Sequence, residues 1–521
     1  MRSNNGDKIL VASPHNGLNR VIISDRRIWI PRALAVAAMI AGIVAWIVYF
    51  QAGLVLSHYD ARAHLVVSRR VFDNITPGWQ QVGAVWLPLP HLLQILPAQV
   101  DLLYRTGAGA SAISIASFGV TAYATARLII AVTGSSIGAV VAVAMMALNP
   151  NLLYLQATPM TEPLLLALSW LVVLWLYEWV LQDRDDVPRR LGWAMVAATL
   201  TRYEAWAIVG AAVVAAVYAM WRRGATGVPL MRRVIRVSVW PAAAVIVFLV
   251  NSRITVGRWF VSEGFFVPDP TYQGQAWLTL VSLWWGTHQL SGYVIEIVAL
   301  GVAAILCARV FIWRDEAAFL IPVALLAAAA LPMTAFFDGH PYRIRYMIPL
   351  VAASLTLTGI GIGLARRAAP FVAAVLVASA LTESPPWNAR APMLLEAQVD
   401  RSKSEGRRHV TECLAANYRG EKILASMGSL AHYMQELSSA GFTIADFVNE
   451  GNGTIWDLAL ETGPAPHAGW MLAEEQAEGG DLLAARIRRK PAFAAHMVPV
   501  CEGGGVRLYK RISEAPRRHA E

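Results

Sequence analysis

Long apolar runs separated by short charged stretches recur from Ile28 to about residue 381 and then stop. Their lengths suit membrane-crossing helices at 28–50, 106–131, 134–148, 160–181, 190–202, 203–221, 234–251, 290–313, 317–336, 344–364 and 368–381, about eleven spans. The run from 190 to 221 is interrupted by Thr201-Arg202-Tyr203-Glu204, so it reads as two short helices around a re-entrant turn or one kinked span. The polar stretch 1–27 precedes an apolar run too long for a signal h-region, which predicts a tail followed by a retained first span. Past Thr382 the pattern changes. Pro385, Pro386 and Pro392 mark a linker over 382–395, and 396–521 alternates helical and strand-like stretches at soluble polarity. There the pattern predicts an amphipathic helix over 396–418, strands over 422–427, 469–472 and 505–511, and helices over 428–437 and 481–489, a small α/β domain. Gly503-Gly504-Gly505 does not lie between a strand and a helix as a phosphate loop does, and reads as a turn.

The fold class is therefore a polytopic α-helical membrane protein (28–381) with a C-terminal soluble α/β domain. Composition agrees: of 521 residues, 56% are hydrophobic and only 15% charged. The net charge of +9 does not form one basic patch, which argues against nucleic acid as a partner. Arginines instead cluster in short loops, at Arg26, Arg27 and Arg32, at Arg184, Arg189 and Arg190, at Arg222 to Arg236, at Arg309 and Arg314, and at Arg366 and Arg367. An odd number of spans puts all five clusters on one side, the cytoplasm by the positive-inside rule, with the N-terminal tail inside and the C-terminal domain outside, in a bacterial plasma membrane. Cys307 lies in an apolar run, leaving Cys413 and Cys501 able to pair if the C-terminal region is exported.

This topology brings five segments to the outer face, four of which supply the candidate acids and arginines. Ser57 to His91 places Asp60, Arg62, His64, Arg69, Arg70 and Asp73 directly after the first span. If 61–72 is helical, Asp60 and His64 share one face while Arg62, Arg69 and Asp73 share the opposite one. Glu162 heads the fourth span in Thr161-Glu162-Pro163, Arg202 and Glu204 sit in the turn of the 190–221 run, and His340, Arg343 and Arg345 lie in one later loop. Solvated acids, helix-dipole charges and snorkelling interface arginines account for each singly, but not for four loops converging on one face. Arginine forks at headgroup depth match a lipid phosphate. The loop 251–290, with Trp259, Phe265, Phe266, Trp277, Trp284 and Trp285, reads as an interfacial helix, with an aromatic lid as the alternative. His58, Asp60 and His64 have ligand chemistry without a recognised metal spacing, so no metal site is assigned and a divalent metal is left open as a cofactor.

The acid after the first span, the Thr76-Pro77-Gly78 and Trp86 to His91 elements, Thr161-Glu162-Pro163 and the Arg-Tyr pair before a late span resemble GT-C glycosyltransferases. Among these the chain is similar to the bacterial family 39 members akin to protein O-mannosyltransferases and lipid A aminoarabinose transferases, over roughly 28–381. The resemblance implies that the first-loop acid, Asp60, acts on the acceptor and that Glu162 is a second acid of the site. Protein O-mannosyltransferases have an Asp-Glu pair at the first position, whereas Asp60 is followed by Ala61, which argues against a protein acceptor of their kind.

The expected activity is transfer of a sugar from a polyprenyl-phosphate donor lipid to a hydroxyl of a glycan, lipid or protein acceptor, with inversion. Asp60 is the expected general base and Glu162 its partner acid. Arg202, Arg343, Arg345 and His340 are expected to hold the donor phosphate, and Tyr59, Arg62, His64 and Glu204 to orient the sugar or acceptor. The rivals are a transporter or flippase of a lipid-linked or anionic solute, and a non-catalytic envelope assembly factor. Transport calls for ionisable groups at mid-depth and paired repeats, whereas Arg127, Glu178 and Glu296 fall near span ends and no repeat is evident.

Overall fold

A computed structural model of the protein describes residues 29–261, 268–477 and 479–512, and the backbone of a two-stranded ribbon formed by β1 (Leu10–Val11) and β2 (Val21–Ile22). Phe265, Phe266 and most of the expected N-terminal tail lie outside the described residues.

Among the described residues eight helices are long and apolar enough to cross a membrane, fewer than the apolar runs suggest. The run at 190–202 forms only the helix Arg189–Thr199, and the last run forms Ala369–Glu383, both short for a bilayer. The run at 134–148 is continued by a second helix, Pro150–Gln156, bent from it by 73°. Asn149 causes the break, because its side chain accepts the backbone N–H groups of Asn151 and Leu152, both at 3.0 Å, and Pro150 supplies no N–H. Ala108–Thr133, Glu162–Gln182 and Ile344–Leu364 are buried on most sides and form the centre of the bundle. Small residues bring them close to their neighbours: a Cβ on Gly138 would lie 2.3 Å from the carbonyl oxygen of Gly359 on the facing helix. The helices α1 (Trp29–Gln51) and Gly227–Val256 lie at the periphery with most of their apolar surface outward, as lipid-facing helices do. Helix Ala276–Ser291 also exposes Trp277, Trp284 and Trp285, the pattern of an interfacial helix rather than a buried lid.

The C-terminal region contains a mixed five-stranded sheet in the order β4-β3-β5-β7-β6, with β3 (Ile423–Ala425) parallel to β4 (Phe447–Val448) and β5 (Trp470–Glu474). β7 (Val506–Arg511) runs antiparallel to β5 and to β6 (Met497–Gly503), and Gly504 and Gly505 make the two-residue turn between β6 and β7. β4, β6 and the helix Thr454–Thr462 were not legible as elements in the sequence. The expected helix over 396–418 is two helices, Pro392–Ala397 and Arg401–Asn417. Cys413 and Cys501 are joined, Cα to Cα 6.6 Å, which ties Arg401–Asn417 to β6.

Two packing relations set up the site. Helix α2 (Tyr59–Arg69) buries Ala63, Leu65 and Val66 in the same core as Leu430, Tyr433 and Met434 of helix Met427–Leu437. Each of Leu65 and Val66 gains about 1.5–3 kcal/mol by that burial, so α2 is held between the bundle and the sheet. Helix Pro392–Ala397, inside the stretch read as a linker, buries Met393, Leu394 and Ala397 in the core of the bundle. Its Met393 N–H donates to Asn151 Oδ1 at 3.0 Å, and Asn151 Nδ2 donates to the Leu290 carbonyl at 3.0 Å.

Candidate functional site

The site forms where α2 meets the heads of three spans. His58 is the N-cap of α2, its Nδ1 accepting the backbone N–H of Asp60 at 3.1 Å. That cap aims the buried Asp60 carboxylate at Arg345, with which it forms an ion pair. Arg345 lies in the short 3-10 turn Ile344–Met347 that opens the span ending at Leu364. Its Nε and Nη1 are buried without hydrogen-bond partners. A buried guanidinium with donors to spare is costly unless a further anion is expected there.

A second charge group adjoins the first. Glu162, at the head of the span ending at Gln182, lies 3.1 Å from Nη1 of Arg202, and neither of its oxygens is aligned for a hydrogen bond. Arg202 also donates from Nη2 to Glu204 at 2.7 Å and from Nη1 to Thr161 Oγ1 at 2.9 Å. Arg345 is within electrostatic reach of Glu162 and Tyr59, and of Arg202, which it repels. Asp60, Glu162, Glu204, Arg202 and Arg345 therefore make one buried cluster, brought together from three separate loops and the end of a fourth segment.

The charge states follow from the neighbours. Burial would raise the carboxyl of Asp60, but its neighbours, led by the Arg345 guanidinium, outweigh it and hold the group well below the usual carboxylate range. Burial likewise favours deprotonated Arg202, yet Glu162 and Glu204 keep it firmly charged. His64 lies one turn from Asp60 and meets His91 at 3.0 Å, Nδ1 to Nε2, with the Trp86 ring 4.3 Å from its own. Burial and His91, opposed by Asp60, push His64 well below its ordinary value. Burial and Arg70 push His91 down to about 3. Both rings are thus neutral, and one donates to the other.

Not every residue expected at the site is there. Arg62 points to the opposite face of α2 and pairs with Glu436 of the C-terminal region, where Arg407 bonds the same carboxylate at 2.8 Å and also pairs with Asp400. The 3.6-residue period already puts Arg62 on that face, and an acid waits on it. Glu204 is in the cluster, but as the partner of Arg202, its carboxylate accepting from Nε at 3.1 Å and from Nη2 at 2.7 Å. His340 accepts or donates at Tyr346 Oη, 3.3 Å, and stands beside the Pro341 carbonyl at 2.8 Å. Arg343 is half-buried at the rim, its charge felt by Glu396 and His340. Tyr59 stacks near His58, ring centroids 4.8 Å apart.

One site residue escaped the sequence reading. Glu396 on helix Pro392–Ala397 accepts the Ile344 N–H at 3.0 Å and approaches His58 Nε2 at 3.5 Å and Arg345 Nε at 3.9 Å. Burial would raise its carboxyl, but His58 and the two arginines bring it below the usual value. In sequence it is one acid at the start of an amphipathic stretch, and no local pattern distinguishes it from a solvated one. Among the described residues no group of three or more His, Cys, Asp or Glu is arranged to hold a metal ion.

No protein-family model and no curated protein matches the chain. Solved structures do. ArnT from Cupriavidus metallidurans bound to undecaprenyl phosphate superposes with a TM-score of 0.52 at 14% identity, covering 92% of this chain and 98% of that one. The same protein in the apo state gives 0.50 at 15% identity, covering 92% and 97%. The chain therefore shares the fold of these two structures, with helices long and apolar enough to cross a membrane followed by a small C-terminal sheet.

Proposed function

We propose that this protein transfers a sugar from a polyprenyl-phosphate carrier to an acceptor hydroxyl at the extracytoplasmic surface of the membrane. The observation that carries this reading is the buried Asp60–Arg345 pair, a carboxylate facing a guanidinium with donors to spare, at the heads of the spans. The GT-C fold supports it, as does a structural neighbour bound to undecaprenyl phosphate. The disulfide supports an oxidising compartment for the C-terminal region, in line with the arginine asymmetry.

In this mechanism Arg345 binds the donor phosphate, and Arg202 holds Glu162 and Glu204 in place beside it. As the anomeric C–O bond to phosphate breaks, the charge growing on the leaving phosphate meets fixed, desolvated donors. The acceptor oxygen attacks from the opposite side, giving inversion, and its proton passes to Asp60. While paired with Arg345, Asp60 is a weak base. A phosphate that competes for Arg345 relaxes that grip and raises the proton affinity of Asp60 when donor is present. His64, held neutral beside His91 and Trp86, and Tyr59 line the approach to Asp60 and suit sugar or acceptor hydroxyls.

The test is release of sugar from polyprenyl phosphate by the purified protein in host lipid extract, wild type beside Asp60→Asn. Release confined to the wild type supports transfer. No release from either, with the fold intact, turns the reading to transport or envelope assembly. A second variant separates the two faces of α2. Arg62→Ala leaves kcat and donor affinity within about threefold, because Arg62 contacts Glu436 and not the cluster, while lowering thermal stability by about 1–3 kcal/mol for a loosened hydrogen bond to a charged group. A large loss of donor affinity in this variant returns Arg62 to the site.

A further inference from the structure

Glu396 reaches both halves of the Asp60–Arg345 pair through their immediate neighbours in the chain. On one side its Oε2 accepts the N–H of Ile344, the residue before Arg345, at 3.0 Å. On the other its Oε1 stands 3.5 Å from Nε2 of His58. His58 is fully buried and spends Nδ1 as the acceptor for the Asp60 N–H, so Nδ1 carries no proton and Nε2 does. Among the described residues neither His58 Nε2 nor Glu396 Oε1 has a tighter hydrogen-bond partner, and each therefore has the other as its counterpart. The carboxylate is ionised, being held below its ordinary range, and can accept that N–H at any working pH.

Glu396 is also firmly placed. Its helix is anchored by the Met393 to Asn151 bond at 3.0 Å and by Ala391, Met393, Leu394 and Ala397 in the bundle core. The acid thus enters from the far side of the chain, after the last apolar run, as a rigid part of the cluster.

We infer that Glu396 is a positioning residue of this centre: it selects the tautomer of His58, whose cap aims Asp60, and it fixes the turn that presents Arg345. This rests on the transferase reading above and extends it, since the segment beyond the spans then completes the site. A carboxylate that misplaces Asp60 by about 1 Å when removed costs about a hundredfold in rate.

The experiment uses the full-length protein in detergent with a polyprenyl-phosphate sugar as donor, comparing wild type, Glu396→Ala and Glu396→Gln. The expected result is a kcat about a hundredfold lower in Glu396→Ala with the donor KM within about threefold. Glu396→Gln, which keeps one acceptor oxygen, recovers about tenfold of that loss. Nitrogen-15 histidine spectra, with His58 assigned through His58→Gln, give a second readout that needs no turnover. They show a single Nε2–H tautomer in the wild type and in Glu396→Gln, and mixed tautomers in Glu396→Ala. If the wild type transfers no sugar, the transferase reading fails and the tautomer alone decides the positioning role. An unchanged His58 signal in Glu396→Ala overturns the inference, as does a Gln variant no better than Ala.

Discussion

Asp60→Asn lowers kcat for sugar release by about 10²–10⁴-fold, the range a positioned general base supplies, while donor binding stays the same or tightens. The two halves of this expectation come from one contact. Asn keeps the shape of the side chain and a carbonyl oxygen for Arg345, but it cannot take the acceptor proton. It also removes the negative charge that now occupies Arg345, so a phosphate no longer competes with a carboxylate for that guanidinium. Burying Arg345 without its counter-ion costs about 3–5 kcal/mol of stability in the donor-free protein. Saturating donor restores part of it, visible as a larger ligand-induced rise in Tm than in the wild type. Transfer at wild-type rate, with Tm unchanged, removes Asp60 from the chemistry.

Arg345→Ala weakens donor affinity by about tenfold to a hundredfold, the loss of a charge-assisted bond worth about 1.5–3 kcal/mol. The same variant changes the pH profile in a stated direction. In the donor-free wild type, burial tends to raise the carboxyl of Asp60, but its neighbours, led by the Arg345 guanidinium, hold it low, so Asp60 stays ionised well below neutrality. Without Arg345 no cation pairs with the carboxylate to oppose burial. The carboxyl titrates at higher pH, and kcat/KM for donor falls as pH drops through that new value, since the protonated acid cannot accept a proton. A profile of kcat/KM against pH, which reports the donor-free enzyme, checks this, and Arg345→Lys, a point charge in place of the fork, lies between the two. An unchanged acid side in Arg345→Ala contradicts the pairing.

These expectations explain why the cluster tolerates so much buried charge. Arg202 is locked between two carboxylates, Glu162 and Glu204, with a bond to Thr161, so its charge is spent on them. Arg345 pairs with Asp60 and keeps two nitrogens unspent. On the proposed reading Arg345 is the ligand contact and Arg202 the clamp on the two acids, although both arginines looked alike as residues on one face of a membrane protein.

Local pattern determined a good part of this protein. Apolar run length marked the bundle, and the change of composition after residue 381 marked the sheet region. The 3.6-residue period put Asp60 and His64 together on α2 with Arg62 opposite them, which the packing of Arg62 against Glu436 reproduces. The turn at the three glycines was legible because they do not lie between a strand and a helix as a phosphate loop does, and Gly504 and Gly505 take the positive φ that such a turn requires. What the sequence could not determine is partner choice. Whether Arg343 or Arg345 meets Asp60, whether Glu162 takes Arg202, and whether Glu396 faces water or the cluster depend on segments from separate parts of the chain arriving at one point. Run length also suggested more spans than the eight helices of the described residues that are long and apolar enough to cross a membrane, because an apolar segment such as 190–202 can be taken up by its neighbours as a short helix. Periodicity is a property of one turn of helix, while the desolvation of a charge is a property of everything packed around it. Only the tertiary structure decides which charges are stripped of water, and therefore which must find each other.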